Sequence, residues 1–199
     1  MMISPAPLSP NNIREKLHQW VNESFSLSEH DILINELGFY NKDPLSTVDN
    51  AFRADLVLAA NRLVGFEIKS EKDTLKRWTA QMLAYSNVFD EVWLCVHSKH
   101  IEKSIQVTPK HIGILMIDSF GSIAIVRSST QHKKNNIYDL SSMLWKDELI
   151  ELACKYNLNA KSKMTKRQIR ALLSERLTLN QVCDFTIGRL KVRKTLLLE

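Results

Sequence analysis

The chain is poor in the residues that build several common kinds of site. Its three cysteines, Cys95, Cys154 and Cys183, lie far apart and form neither a C-x-x-C pair nor a His/Cys ligand spacing. That argues against a structural zinc site and fits a reducing compartment. Five glycines occur, and none falls into a P-loop or a dinucleotide fingerprint. There is no Ser-His-Asp pattern, and His97, His100, His111 and His132 show no ligand spacing. No apolar run approaches the roughly 20 residues that a membrane span needs. The opening stretch carries Pro5, Pro7 and Pro10 without a basic segment before an apolar one, so it does not read as a signal peptide. Internal repeats and low-complexity tracts are absent. These absences predict a cytoplasmic protein that makes no membrane contact.

What is present is an ordinary globular composition, 44% hydrophobic and 25% charged over 199 residues. That is enough for one good-sized domain plus a small appendage, with a core that needs no disulfides. The charge is uneven. Residues 146–199 hold 12 of the 27 Lys/Arg and 6 of the 22 Asp/Glu, a net of +6, so the remainder is close to neutral. A basic appendage has two readings, a polyanionic partner such as nucleic acid or a solvated helical face.

Hydrophobic spacing predicts a mixed α/β order. Ser9-Pro10 opens an amphipathic helix through Ile13, Leu17, Trp20 and Val21. Residues 31–39 allow either a helix end or a short strand, and 41–50 read as a loop. A hairpin follows, 53–60 and 63–69 about Asn61-Arg62. Then come a helix over 73–87, a buried strand at 92–97, a short helix at 99–104, and strands at 113–118 and 122–126. The polar run 128–136 reads as a linker, and three helices follow, 145–156, 165–177 and 178–190. The division predicted is 1–128 as one α/β domain, 129–139 as linker or loop, and 140–199 as a basic helical region.

The informative segment is Asp55, followed twelve residues later by Glu67-Ile68-Lys69. Three charged groups lie on strands that otherwise read as buried, and burying charge is costly unless it is paired or metal-bound. Glu67 and Lys69, two apart, share one strand face, and Asp55 on the partner strand can converge on it. Two carboxylates on a rigid face suit Mg²⁺ or Mn²⁺. Such a cation polarises a phosphate and acidifies bound water, while Lys69 positions or deprotonates that water or neutralises charge. The bland alternative is a cross-strand ion pair on a solvated edge.

Asp55 with Glu67-x-Lys69 resembles the bipartite motif of the PD-(D/E)XK, restriction-endonuclease-like nuclease superfamily, although Ala54 stands where that motif has proline. Gln81-x-x-x-Tyr85 in the following helix is similar to the Gln-x-x-x-Tyr motif of the exonuclease V type. More narrowly, R-x-D-L-V-L (53–58), G-x-E-I-K-S-E (65–71), D-T-L-x-R (73–77) and F-D-x-V-W (89–93) resemble a bacterial and phage branch of small nuclease-like proteins. The resemblance implies a mixed central sheet flanked by helices and a catalytic set of Asp55, Glu67, Lys69, Glu36, Gln81 and Tyr85. It implies metal ligation by Asp55, Glu67 and Glu36, and a Mg²⁺-dependent deoxyribonuclease activity.

The last quarter is similar to a SAP-type helix–loop–helix DNA-binding module. In that reading Lys161, Lys163, Lys166, Arg167 and Arg170 face phosphates, joined by Arg53 and Arg77 near the site. The alternative is a helical cap packed on the sheet, with the last helix completing it or mediating a homodimer or a contact to another protein. Two further functions stay open: a non-catalytic DNA-binding or regulatory protein on the same fold, and an RNA-cleaving toxin.

Overall fold

The computed structural model describes residues 8–43, 45–132 and 136–196, with side chains as far as Arg193. Ser9 caps α1 (Pro10–Ser24), accepting the amide of Asn12 at 3.2 Å, and Pro10 takes the first helical position, where no amide hydrogen is needed. Ile13, Leu17 and Val21 form its buried stripe. The segment whose sequence allowed two states is a strand, β1 (Ile32–Asn41). The hairpin forms as β2 (Asn50–Ala59) and β3 (Leu63–Lys69).

Helix α2 (Trp78–Ser86) begins at Trp78 rather than at Asp73. The Asp73 carboxylate instead closes a turn, accepting the Ser70 amide at 2.8 Å and the Ser70 hydroxyl at 2.5 Å. A short side chain bonded to nearby backbone competes with helix, and here it wins. Beyond α2 come β4 (Glu91–His97), α3 (Ile101–Val107), β5 (Gly113–Ile117) and β6 (Ile123–Arg127). Residues 133–135 of the predicted linker lie outside the described residues. Its described part is tied down: Ser129 donates to Glu91 at 2.8 Å, the His132 amide to the Asp90 carbonyl at 3.0 Å, and α4 (Ile137–Leu140) starts within it. The chain ends in α5 (Lys146–Lys155), α6 (Lys166–Arg176) and α7 (Leu179–Leu196).

The six strands lie in chain order, β1 to β6. The β3–β4 and β4–β5 pairs are parallel and the others antiparallel, so the sheet is mixed. β3 and β4 are buried at every residue, as strands covered on both faces must be. One face carries α1 over Leu56, Phe66, Ile68 and Trp93. The other carries α2 and the C-terminal helices in one continuous apolar cluster, from Trp78 and Phe89 to Leu149, Leu173 and Val182.

That packing corrects one expectation. Arg170 does not face a phosphate; it is 3% exposed. Its guanidinium donates to Asp49 at 2.7 Å and to the carbonyl of Tyr138 at 2.9 Å, and it lies 3.9 Å from the centre of the Tyr138 ring. The cause is helical spacing: Arg170 sits beside Ile169 and Leu173 on the inward stripe of α6. Arg167 pairs with the other Asp49 oxygen at 3.1 Å. Lys161 and Lys163 remain exposed, and Lys166 is half-buried. Burial, and then the charge of Arg170, hold the Lys166 amine below its ordinary pKa.

Removing one partner of a buried pair strands the other, at a cost of about 3–5 kcal/mol. Asp49→Ala is therefore expected to destabilise the fold by about that amount, whereas Lys161→Ala and Lys163→Ala each stay within about 0.5 kcal/mol of the parent. Urea denaturation of the three variants checks this.

Candidate active site

The site begins where the β2–β3 ladder ends. Leu56 pairs with Phe66, and beyond them the strands part. The side chain of Asp55 fills the gap, its Oδ2 accepting the Ile68 amide at 2.8 Å. Phe66 and Ile68 point to the α1 face, so Glu67 and Lys69 point to the α2 face, as strand alternation requires.

There the two charges meet the helix. Lys69 Nζ donates to Glu67 Oε1 at 2.5 Å and to Gln81 Oε1 at 3.0 Å. Gln81 Nε2 donates to the same Glu67 oxygen at 2.6 Å, closing a three-membered ring of side chains. Tyr85, one turn further along α2, gives its hydroxyl proton to Glu67 Oε2 at 2.5 Å. Burial, and then the charge of Glu67, push the Tyr85 phenol well above its ordinary pKa. Glu67 and Lys69 are 3% and 4% exposed. This is not the solvated edge pair of the bland alternative; it is a buried ion pair with every strong contact made to a named donor.

Asp55 is the uneasy member. Burial, reinforced by the charge of Glu67, raises its carboxyl from 3.8 to about 6, against the opposing pull of the Ile68 amide, Lys69 and Arg14. Cys95 beneath it is pushed up to about 12 by burial, so its thiol is inert as a nucleophile.

Glu36 is placed but not engaged. The register puts it across from Asp55, between the Asn35–Leu56 and Leu37–Ala54 pairs. Its backbone is left-handed, with φ 56°, a conformation a non-glycine residue keeps only when its surroundings hold it there. Arg14 from α1 grips one carboxylate oxygen at 3.0 Å and Arg53 the other at 3.2 Å. Glu36 therefore does not join Asp55 and Glu67 as a third ligand in this conformation. Among the described residues no group of three or more His, Cys, Asp or Glu is placed to hold a metal. No pattern along the chain points to Arg14, because only the docking of α1 brings it here. Arg53 and Arg77 are exposed at the mouth, and His97 is a strand-end residue bonded to Ser119 at 3.2 Å.

Fold and site together define an α/β protein with a buried carboxylate–lysine centre at the splayed end of a hairpin, braced by a glutamine and a tyrosine from the next helix. The family described as Bacteriophage P4 protein cII matches residues 8–196, and the chain belongs to that family. It is 26% identical to Protein cII of Enterobacteria phage P4 over 189 residues, 94% of this chain and 68% of that protein. Among solved structures, a protein of unknown function from Silicibacter pomeroyi superposes with a TM-score of 0.44 at 15% identity, over 79% of this chain and 99% of that one; so distant a likeness bears on neither fold nor function.

The raised Asp55 pKa makes a stability prediction. The folded state binds this proton more tightly than the unfolded chain, so the charged form costs up to about 3 kcal/mol above pH 6, and the cost fades as pH falls towards 3.8. Asp55→Asn, whose side-chain oxygen still accepts the Ile68 amide, is expected to be more stable than the parent at pH 8 and equal to it below pH 4. Thermal melts at the two pH values read the difference; equal stability at both would mean that the carboxylate is not held under strain.

Proposed function

We propose that this chain is a metal-dependent phosphodiester hydrolase acting on nucleic acid, with DNA as the first substrate to test, in the manner of the PD-(D/E)XK nucleases its motif resembles. The observation that carries the reading is convergence. Of the six residues the motif resemblance implies, Asp55, Glu67, Lys69, Gln81 and Tyr85 come from β2, β3 and α2 to one cluster, with Glu36 across from Asp55 but turned to Arg14 and Arg53. A strained carboxylate beside a second carboxylate and a lysine is the arrangement expected of a site built for chemistry rather than for stability.

The donor set fits a hard divalent cation. Among the described residues Asp55 Oδ1 takes no hydrogen bond and Glu67 Oε2 takes a single side-chain donor, so lone pairs remain for Mg²⁺ or Mn²⁺. When bound, such a cation supplies Lewis acidity towards phosphate and a water of lowered pKa. Asp55 and Glu67 are the residues to hold it. Lys69 stands beside them, positioned to orient the attacking water or to stabilise charge on a phosphate oxygen. Gln81 and Tyr85 fix the direction of Glu67 and Lys69. Arg77, Lys161 and Lys163 are exposed and can meet phosphates, and Arg53, exposed at the mouth, already pairs with Glu36.

A second reading, a DNA-binding or regulatory phage protein that keeps this fold without cutting, is favoured by two observations. Glu36 is committed to Arg14 and Arg53, and the family description names no reaction.

Cleavage of linear, circular and single-stranded DNA and of RNA, in Mg²⁺, Mn²⁺ and EDTA, separates the two. The hydrolase reading expects metal-dependent cutting that falls about a hundredfold or more in Lys69→Ala. It also expects more metal to be needed for half-maximal cutting as pH drops through about 6, where the proton competes with the cation for Asp55. Tight binding with no cutting of any substrate would instead establish the second reading.

A further inference from the structure

Where the C-terminal helices meet the outer edge of the sheet, two aromatic side chains lie open to solvent with cations beside them. Tyr40, on the edge strand β1, is 45% exposed, and Trp145, at the start of α5, is 61% exposed. The backbone of Tyr40 is fixed, its amide donating to Ser142 at 2.8 Å and its carbonyl accepting from Arg170 at 3.3 Å, while the ring stays outside. Trp145 is held from behind: Arg193 lies 4.2 Å from its ring centre and is itself tied to Glu148 at 2.9 Å and to the Met143 carbonyl at 3.0 Å. With one indole face backed by a guanidinium, so large an exposure leaves the other face open for stacking.

Lys166 connects the two rings. With Tyr40, Val48, Ser142 and Arg167 it lines an open cavity of about 350 Å³, and it also lies close enough to Arg193, behind Trp145, for the two charges to repel. Among the described residues no carboxylate stands within ion-pair distance of it. Burial, then Arg170 and Arg193, hold its amine below the ordinary pKa, against the opposing pull of Glu148. The carboxylates nearby are already matched: Glu148 by Arg193, and Asp49 by both Arg167 and Arg170, which leaves that group positive. Lys146 and Asp147, exposed next to Trp145, cancel. The strip is therefore cationic, and it leads towards the candidate active site. Glu36, about 13 Å back along β1 from Tyr40 at the usual rise per residue, lies across from Asp55 and is likewise held by two arginines.

Open rings alternate with positive charge along this strip, as bases alternate with phosphates along nucleic acid. A duplex hides its base faces in the stack, whereas a single strand offers them to aromatic side chains. We infer that the strip binds single-stranded nucleic acid, with unpaired bases against Tyr40 and Trp145 and the phosphates between them at Lys166. The inference deepens the nucleic-acid reading above and rests on it for the class of polymer, though not on any cutting.

The test is fluorescence anisotropy of the full chain with a labelled single strand of about 12 nucleotides, DNA and RNA in turn, in EDTA so that nothing is cut. A duplex and an abasic strand of the same length are the comparisons, and both are expected to bind more weakly. Tyr40→Ala and Trp145→Ala should each weaken the single strand about tenfold, while Tyr40→Phe and Trp145→Phe, which keep a ring, stay within about twofold of the parent. Lys166→Gln should reduce the salt slope of log affinity by about 0.7. Binding should quench tryptophan emission, and that quenching should be lost in Trp145→Phe. Lys69→Ala should bind as the parent does, so a protein that binds without cutting leaves this inference standing. A duplex or abasic strand bound as tightly as the single strand, no binding of any strand, or unchanged affinity in both alanine variants would overturn it. Should an alanine variant fail to fold, the duplex and abasic comparisons on the parent protein decide alone.

Discussion

Burying Glu67 and Lys69 under a helix is the constraint on which the α2 face is organised. Two charges taken out of water cost several kcal/mol each, and close contact offsets that only if the remaining lone pairs and protons are also satisfied. Gln81 and Tyr85 supply those bonds, and they do so from one face of α2 because they are four residues apart. The same turn of helix inserts Tyr85 among Phe39, Trp78 and Phe89. Polar ring and aromatic core are therefore two sides of one docking event, and α2 cannot slide without breaking both. Asp55 makes no such set of bonds: it accepts a single amide and carries a raised pKa.

A second buried charge pair secures the rest of that face. Asp49, at the entry to β2, receives Arg170 and Arg167 from α6, while Arg193 of α7 grips Glu148 at the start of α5 and lies over the Trp145 ring. Three of the twelve basic residues of the last quarter, Arg167, Arg170 and Arg193, are thus paired with carboxylates of the protein itself. The family match, residues 8–196, spans every element from α1 to α7. One apolar cluster runs from the sheet into the C-terminal helices.

Much of this was legible in the residues. The strand β4 announced itself as an apolar run, the hairpin by its turn, and α1 and α6 by their caps. The core of the candidate site was legible too, because charge on an otherwise buried strand is conspicuous and strand alternation places Glu67 and Lys69 together. Three features were not. The start of α2 depended on a side-chain turn at Ser70 and Asp73 that periodicity ignores. The state of β1 depended on pairing with β2, a contact made across some twenty positions of chain. Arg170 looked like its basic neighbours, and nothing local said that its α6 face turns inward onto Asp49, 121 residues away.

The sequence by itself determined most of the elements, β1 apart, and which side chains share a face, because those follow from periods of two and of three to four along the chain. Only the tertiary structure decided which charges meet. The commitment of Glu36 to Arg14 and Arg53, the burial of Arg170, and the unpaired indole of Trp93 arise where separate elements come into contact. The partner of a polar group is whatever packing brings within about 3 Å, and no local pattern encodes that distance.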